Sequence, residues 1–235
     1  MPSFLGDFDP KTPPDDIRFG SLWIDQTRSK GAGLASYHGN FIPEIPYQLM
    51  RRYTRPGDVV LDPFAGSGTT IDVGATLGRT ILASDIRPVR SKIVRADART
   101  LSLDGTVDLI ILHPPYANIV SYSHEPGDLS RYKVDDFLDL FADVVRNLSR
   151  FLPSGRFLAL VISDIYTSGE LVLLPSECAR RIRAIGYRLK SDIVKNIGTT
   201  KGKGFGAHKG LWRYRAIVNN FTLFEHEHIM IFERD

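Results

Sequence analysis

Two kinds of stretch divide this chain. Residues 1–37 carry neither helical nor strand spacing; Pro10, Pro13 and Pro14 interrupt them and aromatic residues are scattered, which predicts an irregular arm. From residue 38 onward, short apolar runs alternate with stretches whose apolar residues recur every three to four positions. Residues 46–53 (PYQLMRRY) predict a helix with Pro46 in its first turn. Strands are expected at 59–62 (VVLD), 80–85 (TILASD), 93–97 (IVRAD), 107–112 (VDLIIL) and 156–163 (RFLALVIS). Helices are expected at 68–78, closed by Gly78, and at 176–186, closed by Gly186. A third is expected at 135–152, with Phe137, Leu138, Phe141, Val144, Val145 and Leu148 on one face. Residues 187–195 and 227–233 read as a closing pair of strands. Strands alternating with helices imply an α/β fold: a mostly parallel central sheet, helices on both faces and a C-terminal antiparallel hairpin. Such sheets bind ligands at the carboxyl ends of their strands.

Composition narrows the class. The 235 residues are 43% hydrophobic and 24% charged, ordinary for a globular protein of one domain with decoration. The domain is expected over 38–235, with the arm before it and no separate second domain. One cysteine, Cys178, excludes an intrachain disulfide and a cysteine zinc cluster, and its helical setting reads as buried packing. No apolar run reaches the ~18 residues of a membrane span. The acidic, proline-broken N-terminus is not a signal peptide, so the expected compartment is the cytoplasm. Lys+Arg of 30 against Asp+Glu of 27 gives a net charge of +3, which permits nucleic acid as a partner without arguing for it.

The chemistry-bearing residues cluster at predicted strand ends. After the first strand comes Asp62-Pro63-Phe64-Ala65-Gly66-Ser67-Gly68-Thr69-Thr70, a glycine turn running into a helix whose first N–H groups have no partner in the helix itself. It lacks Gly-Lys-Ser/Thr, so the phosphate-loop reading fails, and acidic Asp62 suits a cationic or amine-bearing ligand. Asp85 ends the next strand, where a carboxylate can grip ribose hydroxyls. Asp97 ends the third and can accept from an adenine amino group. The most apolar strand runs into His113-Pro114-Pro115-Tyr116. Proline offers a carbonyl and no N–H, neutral imidazole accepts, and tyrosine supplies a flat face. Two acceptors beside an aromatic plate suit a planar base with an exocyclic NH₂.

DPFAGSGTT followed by HPPY resembles the amino-directed DNA methyltransferases, the adenine-N6 and cytosine-N4 group, over roughly 38–235. The resemblance implies a Rossmann-like methyltransferase fold and S-adenosylmethionine as cofactor. It implies that Asp62, Phe64, Gly66, Ser67, Gly68 and Thr69 line the cofactor, that Asp85 holds its ribose and Asp97 its adenine amino group, and that Ile86 and Ala98 also border it. The segment with His38 and Pro43 resembles the helix that touches the methionine moiety, and His113 borders the same pocket. His113, Pro114, Pro115 and Tyr116 would form the catalytic loop, with His113 standing where the family usually has Asp, Ser or Asn. The implied reaction is methyl transfer to the exocyclic amine of a flipped-out base in DNA, within a restriction-modification setting, by a homodimer or with a companion recognition subunit. Alternatives are an RNA base, a protein glutamine side chain, or a non-catalytic cofactor-binding partner.

Residues 195–220 carry Lys195, Lys201, Lys203, Lys209, Arg213 and Arg215 among glycines and aromatics, with no acid. This predicts a mobile basic loop whose Lys201, Lys203, Lys209, Arg213 and Arg215 track nucleic-acid phosphates. Residues 121–133, with His124 and Asp128, are expected to close over the flipped base. His226 and His228 alternate with acids and read as surface residues of the last strand, so no metal is expected.

Overall fold

A computed structural model describes residues 4–24, 32–33, 41–117, 123–197 and 209–235. The strands are β1 (Leu22–Trp23), β2 (Val59–Asp62), β3 (Thr80–Asp85), β4 (Val94–Arg95), β5 (Leu109–Leu112), β6 (Phe157–Ile162), β7 (Ile165–Thr167), β8 (Glu170–Val172), β9 (Tyr187–Asn196) and β10 (His226–Arg234). The helices are α1 (Glu44–Tyr53), α2 (Thr69–Thr76), α3 (Val134–Ser149), α4 (Leu174–Ala184) and α5 (Lys209–Val218). Eight strands form one sheet in the order β1-β9-β10-β6-β5-β2-β3-β4, while β7 and β8 make a separate hairpin.

The order follows from burial. All four residues of β5 are buried, so this strand needs cover on both faces and neighbours on both edges. It pairs in parallel with β2 on one side (Val60↔Leu109, Leu61↔Ile110) and with β6 on the other. The chain therefore leaves β2 in one direction toward β3 and β4 and returns to its other side with β5, which makes β2/β5 the topological switch point. Alternate residues feed two cores. Val60, Leu109, Ile111, Ala159, Val161, Ile229 and Ile231 pack with Ile45, Leu49 and Met50 of α1 and Val73 of α2. Leu61, Ile110, Leu112, Leu158, Leu160, Ile162, Met230 and Phe232 pack with the stripe of α3 and with Cys178 and Ile182 of α4. Asp135 and Asp136 in the first turn of α3 and Arg146 in its last complement the helix dipole. β10 runs antiparallel between β6 and β9. The expected α/β architecture with its closing hairpin is the one observed.

Local differences have local causes. The strand expected at 93–97 shrinks to the two exposed residues of β4, because only Ser84 and Asp85 of β3 reach it and nothing pairs beyond. The loop expected over 195–220 is corrected at both ends. β9 runs to Asn196, and Lys195 points inward, 3% exposed and paired with Glu227 at 3.0 Å, so it is not a phosphate contact. Residues 209–218 form α5, where Leu211, Arg213, Arg215 and Ala216 are good helix formers. Lys201 and Lys203 lie outside the described residues, as does His38. Among the described residues no helix is long and apolar enough to cross a membrane.

The N-terminal segment is tied to the sheet. β1 adds to the edge of β9 (Leu22↔Val194), and Trp23 is buried against the α1 face. Asp7 accepts from Arg51 Nε at 2.6 Å and from Arg79. The Arg79 side chain is 1% exposed, and its remaining donors meet Thr54 Oγ1 and the carbonyls of Met50, Thr54 and Leu77. Removing one partner of a buried pair strands the other charge. Asp7→Ala should therefore lower unfolding stability by about 3–5 kcal/mol in urea titrations, while Asp9→Ala, at an exposed position, should change little.

Candidate active site

The glycine turn begins where β2 ends. Gly66 and Gly68 take φ of 49° and 81°, the left-handed region that glycine enters without strain. Their N–H groups shape the turn: Gly66 donates to Asp85 Oδ2 at 2.8 Å and Gly68 to the Ala65 carbonyl at 2.7 Å. Ala65 in turn donates to the Ser84 carbonyl, which locks the turn to the end of β3. These donors are thus engaged within the protein. Arg90, which the sequence reading passed over, pairs with Asp72 of α2 at 2.8 Å and donates to the carbonyls of Ser67 and Gly68. A Cβ on Gly68 would meet Arg90 at 2.7 Å, so this arginine roofs the turn.

Three carboxylates gather here. Asp62 is buried and accepts from the Phe64 N–H at 3.1 Å. Asp85 takes the N–H groups of Gly66 and Arg87 and keeps lone pairs for a ligand. Asp128 is buried and holds Ser123 Oγ at 2.6 Å and the Ser130 N–H at 2.8 Å. Burial raises Asp62 to about 7, and the charge of Asp85 adds to that rise. Burial likewise raises Asp85, and Asp128 adds to it. No basic side chain among the described residues pairs with any of the three. A cationic ligand would relieve this stored repulsion, and S-adenosylmethionine carries both a sulfonium and an ammonium. The residues present fit that cofactor.

Asp97 stands beyond β4 with its carboxyl engaged by Arg99 at 2.5 Å. Burial pulls it upward, but the Arg99 hydrogen bonds outweigh burial and hold it below the usual range. Gly127 packs so closely that a Cβ there would lie 2.6 Å from Asp97 Oδ2 and 2.8 Å from Ile86 Cδ1. The segment from Ser123 to Asp128 therefore covers Asp85, Ile86 and Asp97, the side expected to hold cofactor. Ala98 is buried, and its carbonyl accepts from Asn147 at 3.0 Å. Ser67 and Thr69 are buried, and Phe64 packs on the α3 core.

His113 follows β5, so the parallel pairing of β5 with β2 puts it at the same sheet edge as Asp62. Its Nε2 lies 3.1 Å from the Tyr116 hydroxyl, and its ring tilts against Phe41 at a centroid distance of 4.9 Å. Burial lowers His113 to about 4, so the ring is neutral at ordinary pH. Pro114 is buried, while Pro115 and Tyr116 are partly exposed. Ala117, buried and next in line, sits at φ 49°, a left-handed conformation that costs a non-glycine residue about 1–2 kcal/mol. Pro43 caps α1, two residues from the Phe41 that touches His113. Phe41, Arg90, Ala117 and Gly127 escaped the sequence reading because each acts through contacts between distant segments.

Known proteins resemble this chain in parts. Residues 9–95 match the DNA methylase family, a range that reaches into the N-terminal arm and stops short of His113. A Type II methyltransferase, M.MjaII of Methanocaldococcus jannaschii, is 33% identical over 31% of this chain and 14% of its own length. A tRNA (guanine(6)-N2)-methyltransferase of Thermus thermophilus is 30% identical over 54% of this chain and 41% of its own. The crystal structure of TrmN from Thermus thermophilus superposes with a TM-score of 0.53 at 23% identity, covering 83% of this chain and 49% of that one, which is a likeness of fold. The chain thus spans less than half the length of these curated relatives. The resemblance to the amino-directed DNA methyltransferases is borne out over residues 9–95, a match that begins earlier than residue 38.

With its carboxyl raised to about 7 by burial, Asp62 would set the pH dependence of binding a cationic cofactor beside it. A cationic ligand favours the ionised carboxylate, so binding expels a proton wherever the free protein holds Asp62 protonated. Calorimetric affinity for S-adenosylmethionine should be flat above pH 8 and weaken by up to about tenfold per pH unit below 7. Asp62→Asn should bind more weakly at pH 8 and lose this slope. The sign for stability is opposite: the unfolded carboxyl ionises near ~3.9, so the free protein loses stability as pH rises toward 7, and Asp62→Asn should raise Tm at pH 8.

Proposed function

We propose that this chain, whose residues 9–95 match the DNA methylase family, uses S-adenosylmethionine to place a methyl group on the exocyclic amine of a nucleobase, with DNA as substrate and adenine N6 or cytosine N4 as target. The observation that carries this reading is the pairing of β2 with β5, which sets the carboxylate cluster beside the His113-Pro114 acceptors at one sheet edge. The cofactor supplies an electrophilic methyl on its sulfonium. Asp85 would hold the ribose, and Asp62 would neutralise positive charge at the inner end of the pocket. The base must leave the duplex to reach this edge.

His113 then acts as an acceptor, which its neutral ring permits. In the free protein the Tyr116 hydroxyl lies against Nε2. The incoming amine takes that place as Tyr116 turns to stack on the base. Nε2 and the Pro114 carbonyl would accept hydrogen bonds from the two amine N–H groups, which orients the nitrogen lone pair toward the methyl group, and one of those protons would pass to solvent once the nitrogen carries the methyl. Arg213, Arg215 and Lys209 on α5, with Lys201 and Lys203 before it, would supply phosphate contacts. Tyr214 and Arg215 are exposed there.

A second reading replaces DNA with RNA. Its support is that the tRNA methyltransferase relative aligns along more of this chain than the Type II relative does. Labelled methyl transfer to duplex DNA and to tRNA, followed by nucleoside digestion, separates the two. Product in N6-methyladenosine or N4-methylcytosine of DNA supports the first, and N2-methylguanosine of tRNA alone overturns it.

His113→Ala should cost about 10²–10³ in kcat, as removal of a preorganised hydrogen-bond partner does, with cofactor affinity retained. The acid limb due to His113 should lie near pH 4, because only below its lowered pKa does the ring become a pure donor. Tyr116→Phe, which frees Nε2, should keep turnover, whereas Tyr116→Ala should lose it. Full kcat in His113→Ala would remove the acceptor role.

Neutralising Lys201, Lys203 and Lys209 together should weaken nucleic-acid binding. It should flatten the log K against log salt slope by about one unit per contact.

A further inference from the structure

The pairing of β6 with β10 gathers a second group of side chains at the same edge of the sheet. His228 stands opposite Ile162, so the continuation of the two strands puts His226 level with Asp164. Alternation places both histidines on the side of Met230 and Phe232, the face covered by α3 and α4. His113 instead leans on Phe41, next to the α1 face, so the two groups are separate. Asp164 Oδ2 lies 3.8 Å from His226 Nε2, and the two imidazole centroids are 5.4 Å apart. One ligand atom from each of Asp164, His226 and His228 falls within 4.8 Å of the others. The side chains are 12%, 38% and 17% exposed, so the group is set into the surface and open on the His226 side.

Its surroundings hold the donors in place. Asp192 Oδ1 on β9 meets His228 Nδ1 at 2.9 Å; a proton on Nδ1 facing that carboxylate leaves Nε2 as the nitrogen free to ligate. A carboxylate behind a histidine in this way is the usual outer support of a metal-ligating imidazole. The Ser163 hydroxyl donates to the His226 carbonyl at 2.8 Å and fastens the start of β10 to the end of β6.

We propose that Asp164, His226 and His228 bind a divalent transition-metal ion of the zinc class, with Asp192 as a positioning residue and one coordination position left for water or an anionic oxygen. Two imidazoles and a carboxylate select such ions over Mg²⁺ or Ca²⁺, which prefer oxygen donors. Three protein ligands with an open fourth position is the pattern of an accessible zinc site. Ligand atoms around zinc stand about 3.3 Å apart for bonds near 2.0–2.1 Å, so the side chains need only close inward by small rotations.

The test uses the full chain without an affinity tag, stripped of metal and titrated with Zn²⁺ alone by calorimetry and with Co²⁺ alone by visible absorption. One equivalent of Zn²⁺ and the d–d bands of a four- or five-coordinate nitrogen–oxygen site are expected. His226→Ala, His228→Ala and Asp164→Asn should each weaken binding about 100-fold or abolish it, Asp192→Asn should weaken it about 10–100-fold, and Glu170→Gln on the exposed face of β8 should not change it. S-adenosylmethionine affinity of each variant reports that the fold is intact. Absence of Zn²⁺ binding and Co²⁺ bands in the unaltered chain would overturn the proposal, as would unchanged binding in a folded His226→Ala, His228→Ala double variant.

Discussion

The parallel pairing of β2 with β5 is the constraint on which the site depends. Val60 and Leu61 meet Leu109 and Ile110 in register, and β5 is buried along its whole length. A shift of one residue would exchange the side chains that face the two cores and break the packing of both. With the register held, the two chain exits at the strand ends stand side by side. One exit carries Asp62 and the glycine turn, and the other carries His113 and its prolines.

Burial at that edge has two electrostatic results of opposite sense. It keeps His113 neutral, which suits an acceptor, and it keeps Asp62 partly protonated, so a cation brought beside it would draw the carboxyl into its ionised form. Water would serve the carboxylates better than their neighbours do, so the free protein carries a stability cost that a cationic ligand offsets. Ala117 adds backbone strain just after Tyr116, and Arg90 pins the glycine turn from above. The site is thus held by contacts that act against local preference, as functional edges commonly are.

The same logic explains the N-terminal segment. Arg79, between α2 and β3, is buried and needs a counter-charge that no nearby part of the chain supplies. Asp7 provides it from 72 residues away. The family match beginning at residue 9 agrees with a segment that belongs to the fold.

Strand and helix placement, the α/β class and the glycine turn followed by His-Pro-Pro-Tyr were legible in the sequence. Apolar period and turn chemistry are local properties that a linear reading can see. Asp62, Asp85 and His113 were legible as strand-end residues for the same reason. Tertiary structure decided what those groups meet. It engaged Asp97 with Arg99, laid Gly127 and Asp128 over the expected cofactor side, turned Lys195 inward onto Glu227 and brought Asp164 beside His226 and His228. These outcomes depend on which strands become neighbours and on how deeply each group is buried. Neither quantity is a function of sequence distance, and together they set whether a carboxylate is a ligand, a counter-ion or a latent acid.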